Sequence, residues 1–186
     1  MAFLKTVAAA VVFAGLSVLP SLAAEAQLLE QVGEGGVETI VGTLEWRQTL
    51  DENGAPGLAA IMTFDDAKLG AEVIMVKNND PALPASHLFT ATFAPTEGFK
   101  GVAVVQLAGV MMRKGDALQG TPLPGASAAI IENQFIFAPS GPAPSGTTLG
   151  TSTWMDFALV FKTGQRALLA LQIDEIAQAT LAQMAL

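Results

Sequence analysis

The chain has no cysteine, no tyrosine, one histidine and two tryptophans among its 186 residues. Without cysteine there can be no disulfide, no thiol nucleophile, no thiolate zinc site and no c-type haem attachment. The single imidazole, His87, cannot supply the several nitrogen ligands that a zinc centre ordinarily draws from one chain. Positive charge is scarce as well: nine Lys and Arg stand against seventeen Asp and Glu, for a formal net charge of -8. The only adjacent cations are Arg113 and Lys114. Binding to a phosphate backbone relies on clustered cations that release counterions, so nucleic acid is set aside as a partner, and anionic lipid is disfavoured on the same ground. No metal site and no cofactor is expected.

Apolar runs of membrane-spanning length are also missing, and the run nearest the N-terminus has a character of its own. Residues 7–19 form an apolar stretch preceded by Lys5, broken by Pro20 and followed by small residues. It is too short to span a bilayer as a helix, and it has the three-part layout of a secretory signal peptide. Residues 1–24 are therefore read as a leader, with cleavage after residue 23, 24 or 26. Ala24-Glu25-Ala26 fits the small-x-small rule best. The mature chain is then expected to be periplasmic or secreted. Its remaining length, about 160 residues, suits one domain with one core. The expected layout is a flexible N-terminal segment at 25–36 and a single β-rich domain at 37–186. No later stretch is long and apolar enough for a membrane helix, so no stable transmembrane segment is expected after cleavage.

Hydrophobic alternation dominates the domain. Ile40, Gly42, Leu44 and Trp46 alternate with Thr43, Glu45 and Arg47, the period of two that marks a half-buried strand. Strands follow at 58–64 and 71–76, separated by turn chemistry at 51–57 and 65–68. Further strands are expected at 86–93, 101–112, 126–137, 154–161 and 166–173. Residues 138–153 are almost entirely Pro, Gly, Ser, Thr and Ala, too poor in apolar area to offset their ordering entropy. They are read as a mobile loop. Around Asp174, a suitable N-cap, Ile173, Ile176, Ala177, Leu181 and Met184 recur at helical spacing. Many short strands, frequent turns and one terminal helix give an all-β class: an antiparallel β-sandwich or small barrel with a short C-terminal helix.

The densest polar cluster is Asn78-Asn79-Asp80-Pro81-Ala82-Leu83-Pro84-Ala85-Ser86-His87. Together with Trp46-Arg47, Gly120-Thr121-Pro122-Leu123 and Trp154-Met155-Asp156, in that order, it resembles an uncharacterised domain found in exported bacterial proteins. The likeness runs from about residue 41 to residue 171. It implies one exported domain and carries no activity, substrate, cofactor or catalytic residue.

Four residues are candidate ligand contacts: His87, Asp80, Trp154 and Asp156. Ser86-His87 suggests a nucleophile and its base, but neighbours on a regular strand point to opposite faces, so no dyad is expected. His87 is read as a strand-end residue on the side of Phe89 and Phe93, satisfied by a nearby carbonyl or carboxylate. Asn78, Asn79 and Asp80 lack the spacing of a calcium loop and are read as turn formers. Trp46 is assigned to the core. Trp154 and Asp156 share a parity and are expected to share a face. No catalytic set is assigned. The favoured function is a non-enzymatic binding or structural module of the cell envelope, its partner an envelope protein or small ligand. The alternative is a hydrolase with a site around His87 and Asp80.

Overall fold

A computed structural model describes residues 24–33, 35–115, 117, 120–140 and 152–184. The expected leader therefore lies outside the described residues except for Ala24, and so do residues 141–151 of the expected loop. The rest is antiparallel β structure with one short C-terminal helix, as the alternation predicts. In chain order the strands are β1 (Ala24–Val32), β2 (Gly36–Leu50), β3 (Pro56–Phe64), β4 (Leu69–Lys77), β5 (His87–Pro95) and β6 (Val104–Arg113). Then come β7 (Thr121–Pro122), β8 (Gly125–Ile131), β9 (Gln134–Pro139), β10 (Trp154–Phe161), β11 (Arg166–Gln172) and the helix α1 (Glu175–Gln183).

All eleven strands belong to one sheet, ordered β7-β6-β10-β11-β1-β2-β3-β4-β5-β9-β8. The sheet curls into a half-barrel, which brings β6 near one rim against β8 at the other. Side chains bridge the two rims. Ser127 Oγ donates to the Leu107 carbonyl at 2.5 Å, and the Val104 N–H donates to Asn133 Oδ1 at 2.8 Å. Curling gives the sheet a concave face, and alternation fills it. Leu58, Ala60, Met62 and Phe64 of β3 point inward, as do Phe89, Ala91 and Phe93 of β5 and Met155, Phe157, Leu159 and Phe161 of β10. Each such large side chain contributes on the order of 1.5–3 kcal/mol by leaving water. Phe89 meets Phe137 with ring centroids 5.9 Å apart, and Phe99 meets Phe161 edge-on at 5.1 Å. Gly42 leaves room for a core ring: a Cβ there would lie 2.5 Å from the Phe64 ring.

The helix packs against β2 and β3. Asp174 caps it, accepting the Ala177 N–H at 2.8 Å. Ala177, Leu181 and Met184 are buried, whereas Ile176, expected on the apolar face, is 50% exposed and Thr180 takes its place inward. Thr180 is accommodated because its hydroxyl donates to the Ile176 carbonyl and accepts from Gln48 Nε2.

Three sequence expectations need correction. The segment 25–36 is not a flexible lead-in: most of it is β1, paired on one side with β11 (Ala26 with Leu171) and on the other with β2 (Ala26 with Gly42). Its inward residues Ala24 and Ala26 are small, so the strand signal was weak, yet both are buried. The expected single strand at 126–137 is the hairpin β8–β9, turned at Glu132-Asn133, where Asn133 adopts φ of 64°. Asparagine tolerates this left-handed backbone, and an uninterrupted apolar count conceals it. Residues 138 and 139 of the expected loop belong to β9.

Candidate functional site

His87 opens β5 and faces the concave side, with 5% of its surface exposed. Its Nε2 lies 2.9 Å from the Met184 carbonyl, just past α1. A carbonyl only accepts, so Nε2 carries the proton and donates. The other nitrogen, Nδ1, lies 2.9 Å from Ser86 Oγ. Burial lowers the pKa of His87 from 6.5; the Met184 bond opposes that shift and the charge on Lys77 adds to it. At neutral pH the ring is therefore uncharged, and Ser86 O–H donates to the Nδ1 lone pair. The expected carbonyl partner is present. The exclusion of a Ser86–His87 contact does not hold, because Ser86 precedes the first residue of β5 and escapes the pleat.

The loop before His87 is held by one side chain. The amide of Asn78 donates to the carbonyls of Asp80, Leu83 and Ala85 at 3.0, 3.1 and 2.7 Å. Its Oδ1 accepts the Asp80 N–H, and its backbone N–H donates to the Ser86 carbonyl at 2.9 Å. Asp80 is exposed, and its Oδ1 accepts the Ala82 N–H. Asn79 reaches across to Asp51 Oδ2 at 2.8 Å, tying this loop to the β2–β3 turn. The turn reading of these Asx residues is correct. Asp80 contributes to loop geometry, and among the described residues no hydrogen bond joins it to His87.

Trp154 and Asp156 do share a face, the convex one, on β10. Asp156 is only 1% exposed and already has a partner that the sequence reading missed. Arg113, paired with Trp154 across β6 and β10, donates to Asp156 through Nε at 2.5 Å and Nη2 at 2.9 Å. Its guanidinium stacks over the Trp154 ring at 5.0 Å. An acid two residues from a tryptophan on one strand face was the available signal that a cation should sit alongside. Which of nine cations it was depended on strand register. The four candidates thus fall in two places, His87 and Asp80 at one loop, Trp154 and Asp156 on the outer wall. Trp46 is in the core, its Nε1–H donating to the Gln172 carbonyl at 2.9 Å.

Two of the recesses among the described residues lie elsewhere. One, of about 360 Å³, is lined by Leu29, Val37, Ala167 and Leu168 together with Gln31, Gly35, Gly36 and Arg166. Val37 and neighbouring Val41 on the same strand are each 61% exposed. The other, of similar volume, is lined by Glu30, Glu38, Asp66 and Lys100 among others. Glu30 faces the concave side and is 5% exposed. Burial raises its pKa; the Gln165 amide at 3.3 Å and the charge of Lys100 pull the other way, while Glu38 reinforces the rise. Glu30 lies in the segment that reads as flexible in the sequence, which hides it as a candidate. Its parity with Ala24, Ala26 and Leu28 was the usable clue. Among the described residues no group of three or more His, Asp or Glu is placed to hold a metal ion, and no helix is long and apolar enough to cross a membrane. Compared with protein-family models, curated proteins and solved structures, the chain has no match.

Proposed function

We propose that this protein is a binding module of the bacterial cell envelope, taking a small amphiphile with an apolar body and an anionic end. The observation that carries this reading is the recess lined by Leu29, Val37 and Leu168 together with Arg166. Outward positions on a sheet are ordinarily polar, and an open apolar concavity there is the usual form of a ligand or partner surface. The sequence lacks the clustered cations that an anionic lipid surface needs. A single guanidinium beside apolar side chains suffices for the one carboxylate or sulfonate at the end of a hydrocarbon chain. The leader-like N-terminus and the resemblance to exported bacterial domains support the location.

Isothermal titration of the mature chain with dodecanoate tests the reading. One saturable site is expected. Leu168→Asp should weaken binding at least tenfold, because a carboxylate in the recess repels the anion and wets the wall. No saturable heat, or unchanged affinity in Leu168→Asp, overturns the proposal. A hydrolase reading retains one specific observation, the Ser86–His87 contact. Asp80 has no part in it.

A further inference from the structure

We propose that Ser86 is a nucleophilic serine, activated by His87, that accepts an acyl group from an activated ester. This goes beyond the binding reading and stands on residues away from the apolar recess. Three features of the pair carry it. Ser86 is an exposed residue, so an ester can approach it, while the ring that would take its proton is buried. The separation of 2.9 Å is the hydrogen-bond distance a general base needs. The ring is also oriented by a third group: Met184 accepts from Nε2 at 2.9 Å, which leaves Nδ1 without a proton and aimed at the hydroxyl. Nucleophile, base and orienting acceptor in series are the shared logic of activated serines.

The loop supports the arrangement. Asn78 binds the backbone on both sides of the serine, donating to the Ala85 carbonyl through its side chain and to the Ser86 carbonyl through its backbone N–H. The serine is thereby held at the base without help from a regular strand. A burial-lowered pKa keeps the ring in the neutral form that accepts a proton.

The step balances as follows. Ser86 Oγ attacks the acyl carbon as its proton moves to His87 Nδ1, and the Met184 carbonyl continues to accept from Nε2–H of the resulting imidazolium. The bond from the acyl carbon to the leaving alcohol breaks, and the alkoxide takes the proton back from Nδ1. The product is an ester of Ser86. A water molecule can then attack that ester, giving a proton to the same nitrogen. The bond from the acyl carbon to Ser86 Oγ breaks, the serine oxygen takes that proton back from Nδ1, and the acid leaves.

Labelling tests this directly. The mature chain is treated with a fluorophosphonate probe and with p-nitrophenyl acetate, and the adducts are located by mass spectrometry. Ser127 and Ser140 are exposed serines without an imidazole neighbour and serve as internal references. Ser86 is expected to label at least tenfold faster than either. His87→Gln, with its fold verified by circular dichroism, should reduce Ser86 to the reference rate. The proposal is overturned if Ser86 in the unaltered chain reacts no faster than Ser127. It is equally overturned if a folded His87→Gln chain labels Ser86 as fast as before. The unaltered chain alone decides the matter if that variant fails to fold. Dodecanoate binding is unaffected by either result, so failure here is distinguishable from failure of the binding reading.

Discussion

Removing Arg113 should damage the protein far more than removing the charge of its partner, because the two ends of the pair are unequally buried. Asp156 is 1% exposed and Arg113 17%. In Arg113→Met the carboxylate stays behind, cut off from water and deprived of two donors at 2.5 and 2.9 Å. Stranding one member of a buried pair costs about 3–5 kcal/mol, and the lost stacking over Trp154 adds roughly 0.5–1 kcal/mol. In Asp156→Asn the guanidinium keeps its access to water and one amide oxygen to donate to. That change should cost about 1–2 kcal/mol. For a domain of this size each kcal/mol lowers Tm by about 2–4 °C, so Arg113→Met should fall by roughly 10 °C and Asp156→Asn by only a few. The double variant Arg113→Met/Asp156→Leu should recover most of the loss, since two apolar groups need no partner. Urea unfolding followed by circular dichroism gives the midpoints, and an unchanged m-value confirms that stability alone moved. Equal losses in the two single variants, or a double variant no better than Arg113→Met, would refute the claim that stranding the buried charge governs the cost.

Two pH-dependent predictions follow from the buried titratable groups. The folded chain holds the pKa of His87 below 6.5, so between the folded and unfolded values the unfolded chain carries more protons. Stability should therefore be full above about pH 6.5 and fall as the pH drops toward the folded value. His87→Gln should flatten the profile in that window in urea titrations at several pH values; an unchanged slope assigns the dependence to other groups. Glu30 is shifted the opposite way, its folded pKa raised above 4.5. Ionised Glu30 thus opposes folding at pH 7, and Glu30→Gln should raise Tm there, with the gain disappearing below about pH 4.5. A lower Tm at pH 7 would show instead that Lys100 and Gln165 more than offset the burial of the charge.

How much of this molecule could be read from sequence depended on how far apart the interacting residues are. The meander β2 to β5 was legible because its segments are β-rich, β4 and β5 alternating cleanly, and because turns are written locally, in Asn53-Gly54 or Asp65-Asp66. The helix was legible for the same reason, since Asp174 caps it three residues before the amide it accepts. What stayed hidden was set by register. Leu28 of β1 pairs with Leu169 of β11, and no periodicity within either strand reports that pairing. One continuous curled sheet, in place of two sheets facing, rests on that central insertion of β1. Arg113 was invisible as a partner for the same reason, because it meets Asp156 only once β6 and β10 are aligned.

The Ser86–His87 pair marks a different limit. Both residues stand out in the sequence, but strand alternation stops one residue short of Ser86. A strand begins where its hydrogen-bond ladder begins, and the chain just before it is free to turn both side chains together. Asn78 enforces that freedom here by gathering the Asp80, Leu83 and Ala85 carbonyls onto one amide, which sets the backbone entering Ser86. The residue that places the hydroxyl against the imidazole is therefore eight positions upstream of Ser86, and it was read only as a turn former. Its chemistry as a turn former and its effect on the pair are the same three hydrogen bonds.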